Sequence, residues 1–552
     1  MEKPQKETLT VEFKSDRGPL KLDDLYEALV AMANTEGGVL CLGVEDNGTV
    51  TGVDRQHDDP INIAGKIQTH TVPALYPKIN IETWDGKDVL VIELESSQQL
   101  VMTSGGGYYR RRIKSDGTPE AIPMRPDEIV QRLSYIQQID PSAQVMEGLS
   151  PEEAFNPLER ERLRKMIRVY HGDATLLELT DEELDNALGF AVEKRGKVYP
   201  TMAGLLLIGK EKYIHEYIPG NEVLFQVMDG LNVLTNPPAM RGSLLDVFER
   251  VDILFQSRVS EREIQVGLFR VPIPNYEKDA FREGFVNAIV HRDYFRSGAV
   301  QVQLQSNAMV ISSPGGFMEG INPDNILTTP PKPRNRFLAE AVKRIGLAER
   351  TGRGVDKIFE SMLRSGHDIP DYSDSDSTSV VLRLNSEDID EQFVQMLVTE
   401  EQRMGKSLKV EPLIVLSVLK KQRRATLAEL TVHLQRKRES DVRSIVEQLI
   451  EYGMVEGVGN GRARRYILSA KVYALSGNKA GYTRQHGMTT IQEKSLIMQQ
   501  VGKFGKITRA EAMELCKCER DHAYVLLKTL SREGKIELVG NGRGAFYRLL
   551  QE

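Results

Sequence analysis

The first part of the chain shows the two-residue period of a β-strand. In residues 7–14 (ETLTVEFK), Leu9, Val11 and Phe13 alternate with polar residues, which predicts a strand with one buried face. A helix is predicted over residues 23–34. The segment 39–53 then predicts a buried strand that turns at Asp46-Asn47-Gly48 and returns. The segment GGGYYRRR (105–112) predicts a later hairpin strand with aromatic and basic side chains.

A helical period replaces this alternation in residues 281–295 (FREGFVNAIVHRDYF), which predicts one amphipathic helix. Glu283 and Asn287 are four residues apart, so their side chains project from the same strip of that helix. A carboxylate and an amide placed together could share a cluster of Mg²⁺ and water. In that cluster the glutamate would take a proton from water and the asparagine oxygen would bind the metal.

Two strands and two glycine turns follow this helix. The strands are predicted at 299–304 and 309–317, and the second contains Pro314-Gly315-Gly316. Residues 337–362 show two helical patterns that are interrupted by Thr351-Gly352-Arg353-Gly354. The backbone amides of such a turn, directly before a helix, could hold phosphate groups.

The C-terminal third contains an internal repeat. Gly459-Asn460-Gly461-Arg462 recurs 81 residues later as Gly540-Asn541-Gly542-Arg543, and a tyrosine follows each arginine by four positions. Each copy has the pattern of three helices followed by a β-hairpin. The second helix of each copy begins at a threonine with a glutamate three residues later, which predicts a capping box at Thr426 and Glu429 and another at Thr508 and Glu511.

Composition places the chain among ordinary folded proteins. It has 552 residues, of which 40% are hydrophobic and 27% are charged, and this excludes disorder as the main state. The length indicates about three to five domains. Three cysteines are too few for a disulfide scaffold and favour reduced thiols and a cytoplasmic location. The sequence predicts neither a signal peptide nor a membrane span.

The net charge of −7 is unevenly distributed. Residues 411–469 contain 11 Lys and Arg against 7 Asp and Glu, residues 493–550 have the same counts, and residues 1–410 carry about −17. A mildly basic C-terminal third behind an acidic body suggests a polyanionic partner for that third. Solvated surface charge is the alternative explanation.

Residues 1–135 resemble the Schlafen-type AlbA-like domain. The resemblance rests on Glu7-x-x-x-x-Glu12-Phe-Lys14, on AMANTEGGVLCLGVEDNG and on the YYRRR strand. It implies an α+β fold and, in nucleolytic members of the family, three carboxylates that cut tRNA or other nucleic acid with a divalent metal. Those carboxylates map here to Glu7, Glu12 and Asp46, which would hold Mg²⁺ or Mn²⁺.

The same resemblance assigns roles to the neighbouring polar residues. Lys14 would stabilise developing negative charge. Nucleic acid would be held by the aromatic and basic residues of the later strand, which are Tyr108, Tyr109, Arg110, Arg111 and Arg112. Other interpretations stay open, because Asp46 suits a hairpin turn by itself and Glu12 and Lys14 could form a cross-strand ion pair. Many relatives are also regarded as DNA-binding regulators.

The middle of the chain resembles the divergent GHKL-type ATPase domain of bacterial ATP-binding regulators. The resemblance covers about residues 180–385, including a strand at PTMAGLLLIGK (200–210), and implies an α/β sandwich. Glu283 would be the general base and Asn287 would hold Mg²⁺. Gly315 and Gly316 would lie near adenine, and Thr351, Gly352 and Gly354 would lie in the phosphate lid. In the alternative, Glu283 is a solvated helix residue and the glycines only form turns.

The repeated C-terminal modules resemble the winged-helix form of the helix-turn-helix. In that family the third helix enters the major groove and the hairpin contacts the DNA backbone. Arg462 and Arg543 lie in the two predicted hairpins and would contact phosphates. The alternative is that these modules bind proteins.

Together these patterns predict a multidomain α/β protein that combines an α+β Schlafen-like domain, a GHKL α/β sandwich and two winged-helix modules. The predicted units are the Schlafen-like domain 1–135, a helical connector 136–185, the ATP-binding domain 186–385, a hinge helix 386–410, the first module 411–469, a linker 470–490 and the second module 491–552.

The predicted function is an ATP-binding, nucleic-acid-processing protein. We expect a metal-dependent nuclease switched by ATP, assembled as a dimer or larger homo-oligomer, and the Schlafen resemblance implies a role in antiphage or stress defence. The alternative is an ATP-responsive DNA-binding transcription regulator without cleavage activity. A protein scaffold with degenerate sites is a third interpretation.

Overall fold

The structure is a computed structural model. It describes residues 3–18, 21–136, 139–230, 232–235, 237–266, 269–349, 352–386, 389–459, 464–475, 490–516, 520–540 and 545–550. None of the described helices is both long enough and apolar enough to cross a lipid bilayer.

The N-terminal region is an α+β unit built on a four-stranded sheet in the order β1-β2-β5-β4, in which β1 and β2 are parallel and the other pairs antiparallel. Helix α1 packs on this sheet through a face that is almost entirely buried. The elements are β1 (Val11–Lys14), α1 (Leu22–Ala33), β2 (Gly37–Leu42), α2 (Pro60–His70), β3 (Thr71–Val72), β4 (Lys78–Trp84), β5 (Lys87–Glu95), β6 (Met102–Thr103), β7 (Tyr109–Ile113), β8 (Pro119–Pro123) and α3 (Pro126–Tyr135).

The first strand is shorter than the alternation predicts, because the chain turns between Thr8 and Val11. These two residues exchange backbone hydrogen bonds of 3.0 and 3.3 Å, and the Glu7 carboxylate accepts the Phe13 N–H at 2.9 Å. The predicted strand 7–14 therefore begins only at Val11. Gly38 has a φ of +133° and lies so close to this turn that a Cβ there would be 2.0 Å from the Thr10 carbonyl oxygen.

The central region surrounds a five-stranded sheet in the order β12-β11-β15-β16-β17. Before and within it lie α4 (Pro151–Ala154), α5 (Pro157–Val169), α6 (Asp181–Ala187), β9 (Ala191–Lys194), β10 (Lys197–Pro200), α7 (Met202–Ile208), α8 (Glu211–Tyr217), β11 (Val223–Asp229), β12 (Asn232–Thr235), α9 (Leu244–Gln256), β13 (Glu261–Val266), β14 (Phe269–Pro274), α10 (Lys278–Val290), β15 (Val300–Leu304), β16 (Ala308–Pro314), α11 (Arg336–Ile345), α12 (Gly354–Arg364) and β17 (Ser379–Asn385), with 3₁₀ turns at Pro141–Ala143 and Ala174–Glu178.

One element differs in type from the prediction, since the expected strand at 200–210 is the helix α7. All seven of its residues are buried, so the sequence has no polar face from which a helical period could be read. The Thr201 hydroxyl caps the helix by accepting the Gly204 N–H at 3.2 Å. A short apolar run is ambiguous between strand and helix, and here the N-cap favours the helix.

The C-terminal region contains helix α13 (Glu391–Met404) and two modules of similar element order. The first comprises α14 (Val410–Gln422), β18 (Ala425–Thr426), α15 (Leu427–His433), α16 (Glu439–Glu451), β19 (Val455–Val458) and β20 (Arg465–Leu468), followed by α17 (Ala470–Leu475). The second comprises α18 (Thr490–Phe504), β21 (Ile507–Thr508), α19 (Arg509–Cys516), α20 (Arg520–Arg532), β22 (Ile536–Val539) and β23 (Phe546–Leu549). Both predicted capping boxes form.

The two modules differ in what they pack against. The first shares one hydrophobic core with the central region, running from Met146 to Val472, and its helix α14 contacts α12. The second has a separate core around Ile497, Leu527 and Ile536. The first module therefore packs directly against the central region.

Candidate functional site

A cavity of about 270 Å³ opens beside helix α10. Glu283, Asn287 and His291 line it from one strip of that helix, since they are successively four residues apart. The opposite walls are apolar and include Ile311, Phe317, Met318, Tyr372, Val380 and Leu382. An apolar cavity with a few converging polar groups is the usual form of a small-molecule site.

Both predicted glycine turns line this cavity, but Gly315 and Gly316 also have a packing role. A Cβ on Gly315, whose φ is +100°, would lie 2.7 Å from the Asp293 Cβ, and one on Gly316 would lie 2.7 Å from the Asp376 carbonyl oxygen. The two glycines therefore line the cavity, and a side chain at either position would clash with the residues packed behind it.

Glu283 is the most buried acid of the cavity, with 1% of its surface exposed. Burial raises the pKa of its carboxyl group above the ordinary value, although the nearby cations Arg282, at 3.3 Å, and Lys357 act against this rise. Gly354 lies so close that a Cβ there would be 3.0 Å from Glu283 Oε2 and 3.6 Å from Asn287 Nδ2. The predicted lid glycine and the predicted base and metal ligand therefore meet at one end of the cavity, together with Gly352.

The residues after Asn287 hold the end of α10 in place. Burial and the nearby Arg334 lower the pKa of His291 to about 4, so that its imidazole faces the cavity uncharged at neutral pH. The buried Arg292 donates to the carbonyl oxygens of Gly220 and Gly298, the latter at 2.6 Å. The Ser313 hydroxyl of β16 donates to the Ala288 carbonyl oxygen of α10 at 2.6 Å.

Two cations that the sequence analysis did not assign also line the cavity. Lys332 donates to the Glu319 carbonyl oxygen at 3.2 Å, and Arg353 stands exposed in the turn before α12. Arg353 lies inside the predicted glycine turn, so its position was implied by that motif. Lys332 lies in a proline-rich loop without a periodic pattern, and nothing local in the sequence distinguishes it.

The predicted acidic residues of the N-terminal region are close in space but unequal in environment. Burial, together with the negative charges of Glu12 and Asp46, raises the pKa of Glu7, although the hydrogen bond from the Phe13 N–H acts against this rise. Glu12 is 5% exposed and forms ion pairs with Arg111 and, at 2.7 Å, with the Lys14 ammonium group. The alternative ion pair of Glu12 and Lys14 therefore exists, but it forms within the single strand β1 and does not cross between strands.

The predicted three-carboxylate metal site of Glu7, Glu12 and Asp46 is not assembled. Within the described ranges no three His, Cys, Asp or Glu side chains form a group that could hold a metal ion. The physical reason is that both Glu12 oxygens already face cations, so that its charge is balanced within the protein. Glu12 therefore fits a structural ion pair better than a metal ligand.

The arginines of β7 are engaged by acids rather than free for a polyanion. Arg110 pairs with Glu128 at 2.5 Å and Arg112 with Glu120 at 2.6 Å. The Arg111 side chain is fully buried on Glu12 and is not accessible to nucleic acid in this arrangement, so its assignment as a nucleic-acid contact stays a prediction that would require this ion pair to open. The Tyr109 hydroxyl donates to Glu27 at 2.7 Å, which raises the tyrosine pKa to about 12, and Tyr108 is half-buried. Thr351, Arg462 and Arg543 lie outside the described residues.

Comparison with protein families finds three matches. Residues 7–118 match the family described as "Schlafen, AlbA_2", and residues 298–383 match the one described as "Putative ATP-dependent DNA helicase recG C-terminal". Residues 134–223 match a domain of unknown function, DUF8451. The chain therefore carries a Schlafen AlbA_2 domain at its N-terminus and a RecG-like, ATPase-type domain in its middle, which confirms the two expected domain types, while the GHKL assignment stays a prediction.

Among solved structures, the DIP2311 protein from Corynebacterium diphtheriae is 21% identical, with a TM-score of 0.49, and the match covers 98% of this chain and 95% of that one. The N-terminal domain of a RecG-related protein from Nitrosomonas europaea is 25% identical, with a TM-score of 0.15, over 20% of this chain and 81% of that one. Comparison with curated proteins finds no match.

Proposed function

We propose that this protein is an ATP-binding switch that controls its own binding to nucleic acid and does not need to cut it. The observation that carries the first half is the polar strip Glu283, Asn287 and His291 facing a cavity closed by two glycine turns. The RecG-like family match over residues 298–383 supports the identity of the nucleotide.

The cavity residues suit a magnesium nucleotide. Mg²⁺ is commonly held by one or two protein ligands together with the phosphates of its substrate, so a full protein cage is unnecessary. Asn287 would supply the protein ligand, and Glu283 is placed to take a proton from water. Lys332 and Arg353 would balance phosphate charge, and the backbone at Gly352 and Gly354 leaves room for it.

The C-terminal modules supply cations for a polyanion. Arg438, Lys437 and Arg443 are exposed at and along the start of α16, the third helix of the first module. Arg520 and Lys528 are exposed on α20, the corresponding helix of the second module. Basic groups on the third helix are where a winged-helix module would contact phosphates, which supports binding of nucleic acid by these modules.

The test measures both ligands on the full chain. We expect isothermal titration calorimetry to detect ATP binding with Mg²⁺, and we expect Asn287→Ala to weaken it about tenfold or more, because it removes a polar contact to a charged ligand. Lys278→Ala, on the exposed first turn of the same helix, is the matched control and should bind normally. Fluorescence anisotropy with labelled DNA and RNA should then show an affinity that ATP changes.

Absence of ATP binding in the wild-type protein would overturn the proposal. So would nucleic-acid binding that stays the same with and without ATP. Gel analysis of the same samples reports whether any strand has been cut.

Cleavage by the N-terminal domain is a second candidate function. The observation that supports it is that the negative charges of Glu12 and Asp46 both act to raise the pKa of Glu7. Cleavage would require Arg111 to release Glu12. Incubation of tRNA, single strands and duplex with Mg²⁺ or Mn²⁺ decides between the two, and a Glu12→Ala variant with wild-type cutting would exclude this acid from the reaction.

A further inference from the structure

The segment 318–329, which we call the pocket loop, forms part of the cavity wall and also contacts both neighbouring regions. Met318, Ile321, Ile326, Leu327 and Thr329 line the cavity. The loop follows directly on Gly315 and Gly316, so a ligand in the cavity would touch it. One end of the pocket loop contacts the N-terminal domain, and the other end contacts the first C-terminal module.

The contact to the N-terminal domain is made by Glu319, which is 9% exposed. Its carboxylate accepts from Arg132 at 3.1 Å and from the Ser96 hydroxyl. Arg132 donates in addition to the Ser97 carbonyl oxygen at 2.6 Å. The carbonyl oxygen of the same Glu319 accepts from Lys332 of the cavity, so one residue joins the cavity to the N-terminal domain.

The contact to the first module is made by Gln435, in the turn between helices α15 and α16. Its side chain accepts the Leu327 N–H and donates to the Pro323 carbonyl oxygen, each at 2.8 Å, and its backbone oxygen accepts from the Thr328 hydroxyl at 3.2 Å. Gln435 has a φ of +53°, in the left-handed region that non-glycine residues rarely occupy. Such conformations persist only where surrounding contacts hold them.

The pocket loop is internally cross-linked, so that its two ends cannot move independently. Asn325 accepts the Asn322 N–H at 2.9 Å through its side chain and donates to the Gly320 carbonyl oxygen at 2.9 Å. Its backbone oxygen accepts the N–H groups of Thr328 and Thr329, each at 3.0 Å. A second cavity of about 580 Å³ is lined by Leu327 and Thr328 of the pocket loop and by Leu434 and Arg436, the two chain neighbours of Gln435.

We propose that Glu319 and Gln435 are positioning residues that connect the nucleotide cavity, through the pocket loop, to the N-terminal domain and to the helix-turn of the first module respectively. This inference rests on the proposed function and identifies the contacts through which ATP binding would affect the neighbouring regions. A ligand that displaces the pocket loop changes both contacts, and α16 begins four residues after Gln435. The Glu319 contact then alters the N-terminal domain, and the Gln435 contact alters the first module. A substitution at either residue breaks one contact and leaves the other.

The test is hydrogen–deuterium exchange of the full chain with and without ATP and Mg²⁺, in peptides covering 94–100 and 130–136 and in peptides covering 427–438. In the wild-type protein we expect ATP to change exchange in both regions by about threefold or more. Gln435→Gly removes the side-chain bonds while suiting the positive φ, and should abolish the response in 427–438 alone. Glu319→Gln should abolish the response in 94–100 and 130–136 alone, so each variant is the control for the other.

If Glu319→Gln unfolds the N-terminal domain, Ser96→Ala removes one hydrogen bond from the same contact and should reduce the same response. A wild-type protein that binds ATP but responds only in the cavity overturns the inference and leaves the proposed function intact. Responses that persist in both variants overturn it as well. A wild-type protein that binds no ATP in calorimetry defeats the proposed function, and the inference falls with it.

Discussion

Two buried glutamates of this protein have opposite surroundings. Glu12 lies on β1 between Arg111 and Lys14, and both of its oxygens face a cation. Glu283 lies on α10, pairs with the half-buried Arg282 at 3.3 Å and faces a cavity. A buried charge that is fully paired is part of the structure, whereas a buried carboxyl group with a raised pKa beside a cavity is typical of a functional site. The predictions below test that contrast.

The largest expected effect is at the Glu12 pair. Arg111→Met should lower the free energy of unfolding of the N-terminal domain by about 3–5 kcal/mol, because it leaves one oxygen of the buried Glu12 carboxylate without its cation while only Lys14 remains paired. Trp84 is the single tryptophan of the chain and lies 8% exposed in the core beside Phe13 and Cys41, so urea titration followed by its fluorescence reports on this domain.

Arg112→Met is the matched control on the same strand. The Arg112–Glu120 pair is exposed, with 51% and 26% of the two side chains accessible, so its loss should cost about 1 kcal/mol or less. The double variant Glu12→Gln/Arg111→Met should recover much of the stability lost in Arg111→Met. If Arg111→Met and Arg112→Met were equally stable, the ion pair of Arg111 with Glu12 would not stabilise the fold.

The next effect is on the pH dependence of stability, to which His291 of the central region and Glu7 of the N-terminal region contribute with opposite signs. The unfolded His291 imidazole titrates near 6.5 and the folded one near 4, so the unfolded state binds more protons between these values. Acidification from pH 7 to pH 4 should therefore cost the central region on the order of 2 kcal/mol at His291. The raised pKa of Glu7 has the reverse effect, because the folded state binds its proton first.

Calorimetric unfolding of the wild-type protein and of His291→Asn at pH 7 and at pH 4 measures the first part of this prediction. The stability difference between the two proteins should shift in favour of the variant at the lower pH. A difference that is the same at both pH values would show that the imidazole does not titrate with the shift assigned to it.

The smallest effect on stability is expected at Glu283. Glu283→Gln removes a buried charge, and its partner Arg282 stays partly exposed to water. The free energy of unfolding should therefore change by about 1 kcal/mol or less, in the stabilising direction. ATP affinity should remain within about threefold of the wild-type value, while any phosphate release falls by about 100-fold. A destabilisation as large as that of Arg111→Met would place Glu283 in the same structural class as Glu12.

The sequence predicted the parts of this molecule that depend on local spacing. The strip on α10 follows from residues four apart, and the capping boxes at Thr426 and Thr508 follow from a threonine and a glutamate three positions later. The matches to the Schlafen AlbA_2 and RecG-like families agree with motifs that were recognisable as short runs of residues. The winged-helix assignment and the domain boundaries stay predictions.

The sequence could not predict contacts between residues far apart along the chain. The partner of Glu12 is 99 residues away, Glu319 meets Arg132 from a distance of 187 residues, and Gln435 meets Leu327 from 108. The strand expected at 200–210 became α7 for a related reason, since a run that is buried on every side carries no period to read.

The amino-acid sequence by itself determined the types of the amphipathic elements, the two C-terminal capping boxes, the polar strip of α10 and the duplication of the C-terminal module, because backbone geometry fixes which neighbours along the chain share a face. Only the tertiary structure decided which carboxylates are neutralised and which face open space. The physical reason is that the energy of a buried charge depends on what lies within a few ångströms of it, and those groups come from distant parts of the chain.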